Sequence, residues 1–443
     1  MNKPFSGNNS RRDFVKGSSL LAGGILAAPL LSRANFFSGS DDTIKIAVVG
    51  CGGRGTGAAM QALSSKQNVK IVAMADAFKD NLDSCHKSLT EEINNSIGEL
   101  AKRLDVPEER RFTGFDGYQR AIALADVVIL ATPPGFRPIH FAEAIKQGKH
   151  VFMEKPVATD PAGIQSVLAT AAIAKQKKLN VVVGLQRHYQ NSYRELYKRK
   201  DLIGDITSAQ AWWDNDGVWV RPRKYNQTEM EYQMRNWYYF NWLCGDHITE
   251  QHIHNLDVIN WFKGGHPVKA QGFGGRQVRN GKDHGEIFDH HFVEFEYADG
   301  SILNSQCRHI PGTMSKVDEL LVGTKGKIFC GAAHIKDHTG KIIYQYDTKL
   351  ENNPYQTEHD ELFAAIAKGE YKYADAENGA SSTMTSILGR MATYTGQVID
   401  WDKAVNSGMD IQPKTYDWNA EPPVLPNADG YYPIAIPGVT KYF

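Results

Sequence analysis

Lys155 and His254 are the side chains whose settings best suit moving a proton to and from a hydroxyl. Lys155 stands in His150-Val151-Phe152-Met153-Glu154-Lys155-Pro156, directly after a short apolar run. Ligands of open α/β sheets bind at the carboxyl edge of the strands, and a lysine there can hydrogen-bond a substrate hydroxyl and steady a developing oxyanion. A surface Glu–Lys pair is the plainer alternative. His254 belongs to the series Asp246, Glu250, His254, Asp257, spaced by four, four and three, with Ile253, Leu256 and Trp261 as apolar support. That spacing predicts one striped helix face, and a carboxylate one turn before a histidine can orient the ring and raise its basicity. A solvated helix face would carry the same stripe. His247, Glu250 and His254 lack the H-E-x-x-H spacing of a zinc site, so no metal is expected.

A second constellation is Gly50-Cys51-Gly52-Gly53-Arg54-Gly55, a G-x-G-x-x-G turn between the apolar run Ile44 to Val49 and a helical pattern starting near Thr56. Gly50 permits the tight turn, Gly52 lets the backbone approach a pyrophosphate, and Gly55 allows close helix–strand packing. The helix N-terminus offers free N–H groups and a positive dipole end to the phosphates. A second apolar run ends in Asp76, which can accept from a ribose 2′-OH and would repel a 2′-phosphate. NAD is therefore favoured over NADP, although Asp76 would also serve as a helix cap and Arg54 and Lys79 stand nearby.

Ten aromatic residues lie between Trp212 and Trp242, about one residue in three against 10% for the chain. Among them are Trp212, Trp213 and Trp237, interspersed with Asp214, Arg221 and Arg235. Aromatic faces beside planar polar groups suit a sugar ring, and they suit a subunit interface equally.

These groups need a scaffold. From Ile44 to about Val157 strand and helix alternate, with strands at Val127 to Ala131 and Lys149 to Met153 and a helix at Phe141 to Gln147. Such alternation implies a parallel sheet covered on both faces. A helix from Pro161 to Lys177 and a strand from Val181 to Leu185 close this part. Beyond it, Asp289 to Glu296 alternates, Asp299-Gly300 turns into Ile302 to Cys307, and Thr324-Lys325-Gly326 joins two more strands, an antiparallel pattern. The expected division is a signal and linker at 1–40, a Rossmann domain at 41–185, a substrate-binding α/β domain with a large, mostly antiparallel sheet at 186–400, and a surface-packing tail at 401–443.

Ser10-Arg11-Arg12-Asp13-Phe14-Val15-Lys16 followed by the mostly apolar Gly17 to Leu31 resembles a twin-arginine export signal, too short and glycine-interrupted for a bilayer span. An exported, periplasmic chain is expected. Fifty acids balance fifty bases, which gives nucleic acid no electrostatic handle. Five scattered cysteines without a C-x-x-C pair argue against a disulfide framework or zinc site.

Taken in order, the glycine turn, Ala131-Thr132-Pro133-Pro134 with His140, and Gly148 through Pro156 resemble the glucose–fructose oxidoreductase/inositol dehydrogenase/MocA family. The resemblance continues through Gly204-Asp205-Ile206, His254-Asn255-Leu256-Asp257 and Gly323-Thr324-Lys325-Gly326. It implies a Rossmann domain, a second domain whose sheet makes subunit contacts, and hydride transfer between NAD(P) and a sugar or cyclitol hydroxyl. By motif position Lys155 matches the family's lysine and His254 its catalytic histidine, while Glu250 replaces the aspartate of many members. Cofactor contacts are then expected from Gly50, Gly52, Gly53, Arg54, Gly55, Asp76, Thr132, Pro133, His140, Glu154 and Lys155. Substrate contacts are expected from Lys155, Arg187, Trp212, Trp213, Trp237, Asp246, His247 and His254.

The leading expectation is an NAD-dependent dehydrogenase of a secondary hydroxyl on a sugar or glycoside, with C3 a particular possibility. One alternative is a glycosidase that oxidises C3 transiently, eliminates the aglycone, adds water and reduces again. A non-enzymatic sugar or nucleotide sensor is the other, which the presence of both Lys155 and His254 disfavours.

Overall fold

The computed structural model describes residues 42–95 and 99–442; the twin-arginine segment lies outside them. Six parallel strands form the first sheet: β1 (Ile44–Val49), β2 (Val69–Asp76), β3 (Arg111–Thr113), β4 (Val127–Leu130), β5 (His150–Met153) and β6 (Val181–Val183). Their order is β3-β2-β1-β4-β5-β6, the doubly wound arrangement of dinucleotide-binding domains. The strands read as continuous apolar runs because helices cover both faces, and β4 is buried at every position. β1 and β4 part beyond their carboxyl ends, at the switch point where ligands of such sheets bind.

The second sheet contains β7 (Ile206–Asn215), β8 (Lys269–Gly275), β9 (His290–Glu296), β10 (Ile302–His309), β11 (Lys316–Gly323), β12 (Gly326–Phe329), β13 (His334–Asp337), β14 (Ile342–Gln345) and β15 (Ile399–Asp400). In the order β14-β13-β12-β11-β7-β10-β9-β8-β15, only β7 and β10 run parallel. The alternation along β9 and β10 reports one face packed on helices His247–Glu250, Ile253–Lys263 and Ala376–Thr395. The opposite face, with Trp212, Phe273 and Phe292, carries none of these helices.

Helix Ala376–Thr395 carries a run of Ser, Thr and Met that serves packing. It is buried on nearly all sides between helix Pro161–Gln176 and the second sheet. A Cβ on Gly379 would stand 3.0 Å from the Val183 side chain, and one on Gly389 2.8 Å from Phe295. Its hydroxyls satisfy themselves on carbonyls of the preceding turn, as Thr383 does on Gly379 (2.7 Å) and Thr395 on Met391 (2.8 Å).

The expected single helix through Asp246 and Asp257 is broken. Gly245 (φ +78°) and Asp246 (φ +71°) end one short helix, and His247–Glu250 is separated from Ile253–Lys263 by Gln251 and His252. The tail beyond residue 400 does more than coat the surface. Ile411 N–H donates to Asp160 Oδ2 (3.2 Å), and the Gln412 amide donates to Thr159 Oγ1 (2.8 Å) and the Trp242 carbonyl (3.1 Å). It thereby ties the two parts of the chain together. Among the described residues no helix is long and apolar enough to cross a membrane.

Candidate active site

The glycine turn forms the floor of a cavity of about 330 Å³. A Cβ on Gly55 would lie 1.8 Å from the Gly50 carbonyl oxygen, and one on Gly50 (φ +96°) 2.4 Å from Thr132 N, so both positions require glycine. Gly50, Gly52, Gly53, Arg54, Asp76, Thr132, Pro133 and His140 all line the cavity. Helix Gly53–Leu63 starts there with no side-chain cap, which leaves its first N–H groups for an anion. This donor set, with open space beside Gly52 and Gly53 and no room for a Cβ at Gly50 or Gly55, fits a dinucleotide pyrophosphate.

Asp76 holds backbone donors and also faces the cavity. Its Oδ2 accepts from Cys51 N–H (2.7 Å) and Oδ1 from Phe78 N–H (2.8 Å), so it pins the turn while lining the cavity. Burial pushes its carboxyl up, against the backbone donors that pull it down. Arg54 turns its guanidinium to Glu154, with Gln61 (2.9 Å) and Glu358 (3.4 Å) beyond. Lys79 is taken by Asp83 (2.8 Å). His140 Nδ1 contacts Thr132 Oγ1 (3.1 Å), and burial with the Arg137 charge holds the ring down at about 3, so it stays neutral.

Beyond β5, Lys155 Nζ donates to the Glu250 carbonyl (2.6 Å) and to Glu250 Oε1 (3.1 Å). The loop after β5 in the first domain is thus joined to helix His247–Glu250 of the second. Glu250 is raised by burial, opposed by the Lys155 charge. His254 opens the next helix, buried, with the Trp213 ring stacked at 5.8 Å and 22°. Burial, then the charges of Lys155, Arg187 and Arg54, hold His254 well below the usual histidine range. The ring is therefore neutral at physiological pH and has a lone pair to take a proton. Arg187 is nearly buried and paired with Glu319, which also accepts from Tyr193 (2.9 Å) and Asn255 (2.6 Å).

The other expected substrate residues separate. Consecutive strand residues face opposite ways, so Trp213 meets His254 while Trp212 lies on the far face of the sheet under Lys316 Nζ, 3.2 Å from its ring centroid. Trp237 lines the dinucleotide cavity instead. Asp246 and His247 are fully buried elsewhere. Asp246 Oδ1 takes the backbone N–H and Nδ1 of His247, and Oδ2 takes Phe288 N–H (2.9 Å) and the Tyr394 hydroxyl (2.5 Å). With His291, these two residues are close enough to hold a cation. The carboxylate's lone pairs are already engaged, which makes Asp246 a structural hub.

Sequence reasoning missed the roof of the cavity. Trp219, Arg221, Arg235 and Trp237 from the aromatic stretch line it opposite Phe78 and Phe115. Arg235 reaches Asp80 (2.9 Å), and its guanidinium lies 4.0 Å from the Phe78 ring centroid. Trp418 of the tail packs on Phe115 at 4.5 Å and Phe78 at 5.1 Å, and Tyr416 on Phe136 at 5.2 Å. Only the local density of aromatic residues hinted at this, because the partners lie far apart in sequence.

A glycine-floored cavity with the donors of a dinucleotide site, and a lysine, an acid and a neutral histidine beyond β5, fit the oxidoreductase class that the comparisons indicate. Residues 44–185 match the family model described as "Oxidoreductase family, NAD-binding Rossmann fold". An uncharacterized oxidoreductase of Streptococcus pneumoniae is 24% identical over 58% of this chain and 60% of its own length. An inositol 2-dehydrogenase of Cereibacter sphaeroides is 23% identical over 78% of this chain and 92% of its own. The fold is shared with scyllo-inositol dehydrogenase from Lactobacillus casei, solved with NAD(H) and scyllo-inositol. That match has a TM-score of 0.60 at 20% identity and covers 81% of this chain and 99% of that one. The first domain of the chain, residues 44–185, thus matches the glucose–fructose oxidoreductase/inositol dehydrogenase/MocA family model.

Proposed function

We propose that this chain is an NAD-dependent dehydrogenase that oxidises a secondary hydroxyl of a sugar, cyclitol or glycoside, C3 of a glycoside included. The observation that carries the reading is the Lys155–Glu250 pair beyond the carboxyl end of β5, with His254 near enough to feel the Lys155 charge. His254, neutral, takes the hydroxyl proton, and Lys155 steadies the oxygen as its negative charge grows. Glu250 holds the lysine ammonium in place. Bound NAD would supply the hydride acceptor at this edge. Asp76, lining the cavity with a carboxylate, supports NAD over NADP.

Export through the amino-terminal twin-arginine motif is part of the same proposal. It implies that nucleotide is loaded in the cytosol and kept, since an extracytoplasmic space holds little free NAD. The aromatic stretch lining the cavity, and the tail packed on Phe78 and Phe115, support retention. A homo-oligomer through the helix-free face of the second sheet completes the reading, supported by Trp212, Phe273 and Phe292 on that face.

The test is to purify the mature chain without added nucleotide, quantify NAD(H) released on denaturation, and challenge the protein with a panel of sugars, cyclitols and glycosides while following NADH absorbance and product mass. Bound NAD(H) and a keto product are expected. Nucleotide-free protein would overturn retention. Aglycone release without NADH accumulation would favour the glycosidase, and binding without turnover the sensor.

A further inference from the structure

Two ion pairs tie the segments that leave β5 and β6 to the elements around His254. β5 and β6 pair in parallel, so both segments leave at the same edge of the first sheet. After β5, Lys155 meets Glu250, which precedes His254 by one helical turn in sequence. After β6, Arg187 meets Glu319 on β11. The same Glu319 oxygen, Oε1, accepts from the Asn255 amide (2.6 Å), and Asn255 directly follows His254. Tyr193 donates to Oε2 (2.9 Å), so donors from three separate elements converge on one fully buried carboxylate.

Helix Ile253–Lys263 has no side-chain cap at its start. Its first turn is pinned instead from the second sheet, by His252 Nε2 on Ser305 Oγ (2.6 Å) and by Asn255 on Glu319. Where Glu319 holds Asn255, the backbone of His254 is held with it. The Arg187 guanidinium is nearly buried and lies 5.4 Å from the Tyr193 ring centroid. A buried ion pair gains little net stability over an apolar pair of equal volume, because both charges lose water. What it fixes is direction, since the planar fork of arginine meets a carboxylate in few geometries. The charges that reach the His254 ring come from Lys155, Arg187 and Arg54, paired in turn with Glu250, Glu319 and Glu154.

We propose that Glu319 and Arg187 are a positioning pair for His254. Glu319 locks the first turn of the His254 helix to the segment after β6, and the guanidinium it holds keeps a fixed positive charge towards the His254 ring. Arg187 thus acts through His254 and not as a substrate contact. The inference rests on the dehydrogenase reading above.

The test compares the full nucleotide-loaded chain with Arg187→Gln on the best sugar or cyclitol found for it. The variant is expected to lower kcat about 10- to 100-fold, the order that a misplaced reacting group costs, with sugar KM and NAD(H) content little changed. The acid limb of kcat/KM should move to higher pH, because losing a positive neighbour favours the imidazolium and the ring then needs a higher pH to act as a base. Arg187→Lys keeps the charge without the fork, so it should leave the acid limb in place and recover part of kcat. Should a lone buried Glu319 unfold the single variant, Arg187→Gln combined with Glu319→Gln removes both charges and should fold with the same shift of the limb. NMR of ring-labelled histidine, with His254→Ala to assign the signal, reads that shift without turnover. Parent-like kcat with an unmoved limb would overturn the proposal. A raised sugar KM with the limb unmoved would make Arg187 a substrate contact, and a lower Tm with kcat and limb unmoved would make the pair merely structural; either overturns it too. If the parent protein turns over no sugar while the His254 signal still shifts in the variants, the failure belongs to the dehydrogenase reading.

Discussion

At the reaction centre, one ion pair and one neutral ring divide the chemistry. Lys155 is held by both a carbonyl and a carboxylate of Glu250, so its ammonium is directed before any substrate enters. Lys155→Ala and His254→Ala should each lower kcat by about 10²–10⁴-fold while leaving nucleotide bound, as removal of general acid–base groups does. Turnover near that of the parent protein in either variant would remove that residue from the mechanism. Because the folded-state pKa of His254 lies well below its ordinary 6.5, the acid limb of the kcat/KM profile should fall below the range of a free histidine. Asp76→Ala should weaken discrimination against NADP. Since Asp76 also takes the Cys51 and Phe78 N–H groups, an unchanged preference with a lower melting temperature would assign it to the turn alone.

At the scale of elements, strand and helix geometry decides what each aromatic residue can touch. Trp212 and Trp213 adjoin in sequence but occupy opposite faces of β7. Trp213→Ala should raise the sugar KM, Trp212→Ala should alter only the oligomeric state, and Trp418→Ala should speed NAD(H) loss on gel filtration. Identical effects from the first two would contradict the strand register. The same geometry explains what could be read beforehand. The glycine turn and the Glu-Lys-Pro segment were legible because each is a contiguous motif: Gly55 is demanded by the Gly50 carbonyl within the turn, and Gly50 by the backbone of Ala131 and Thr132 just beyond β4. The Asp246–Asp257 stripe was misread as one helix because spacing alone does not reveal the left-handed φ of Gly245 and Asp246, or the buried donors that draw Asp246 the other way. The cavity roof was illegible for a related reason, since Phe78 and Trp219 line one cavity, and Trp418 packs on Phe78, only through tertiary folding.

At the scale of the whole molecule, several histidines are buried uncharged. His140, His252 and His359 are each held at about 3, chiefly by burial, against an ordinary 6.5. Below that ordinary value the unfolded chain binds protons that the folded chain refuses, so stability falls as pH drops from about 6.5 towards about 3 and is fully present above that window. Melting temperature should therefore decline through this range, and replacing His359 by Phe should flatten the decline. A pH-independent melting temperature there would contradict the buried neutral assignment.

The proposed dehydrogenase passes hydride from substrate to nucleotide, and isotopic labelling follows that atom directly. The nucleotide-loaded protein would be given the active polyol or glycoside carrying deuterium on the carbinol carbon, and the nucleotide and product would be weighed by mass spectrometry. A dehydrogenase with His254 as base and Lys155 at the oxygen should deliver one deuterium into NADH and leave a ketone in the product. Unlabelled nucleotide, or label that returns to a hydrolysed sugar with no net NADH, would contradict it.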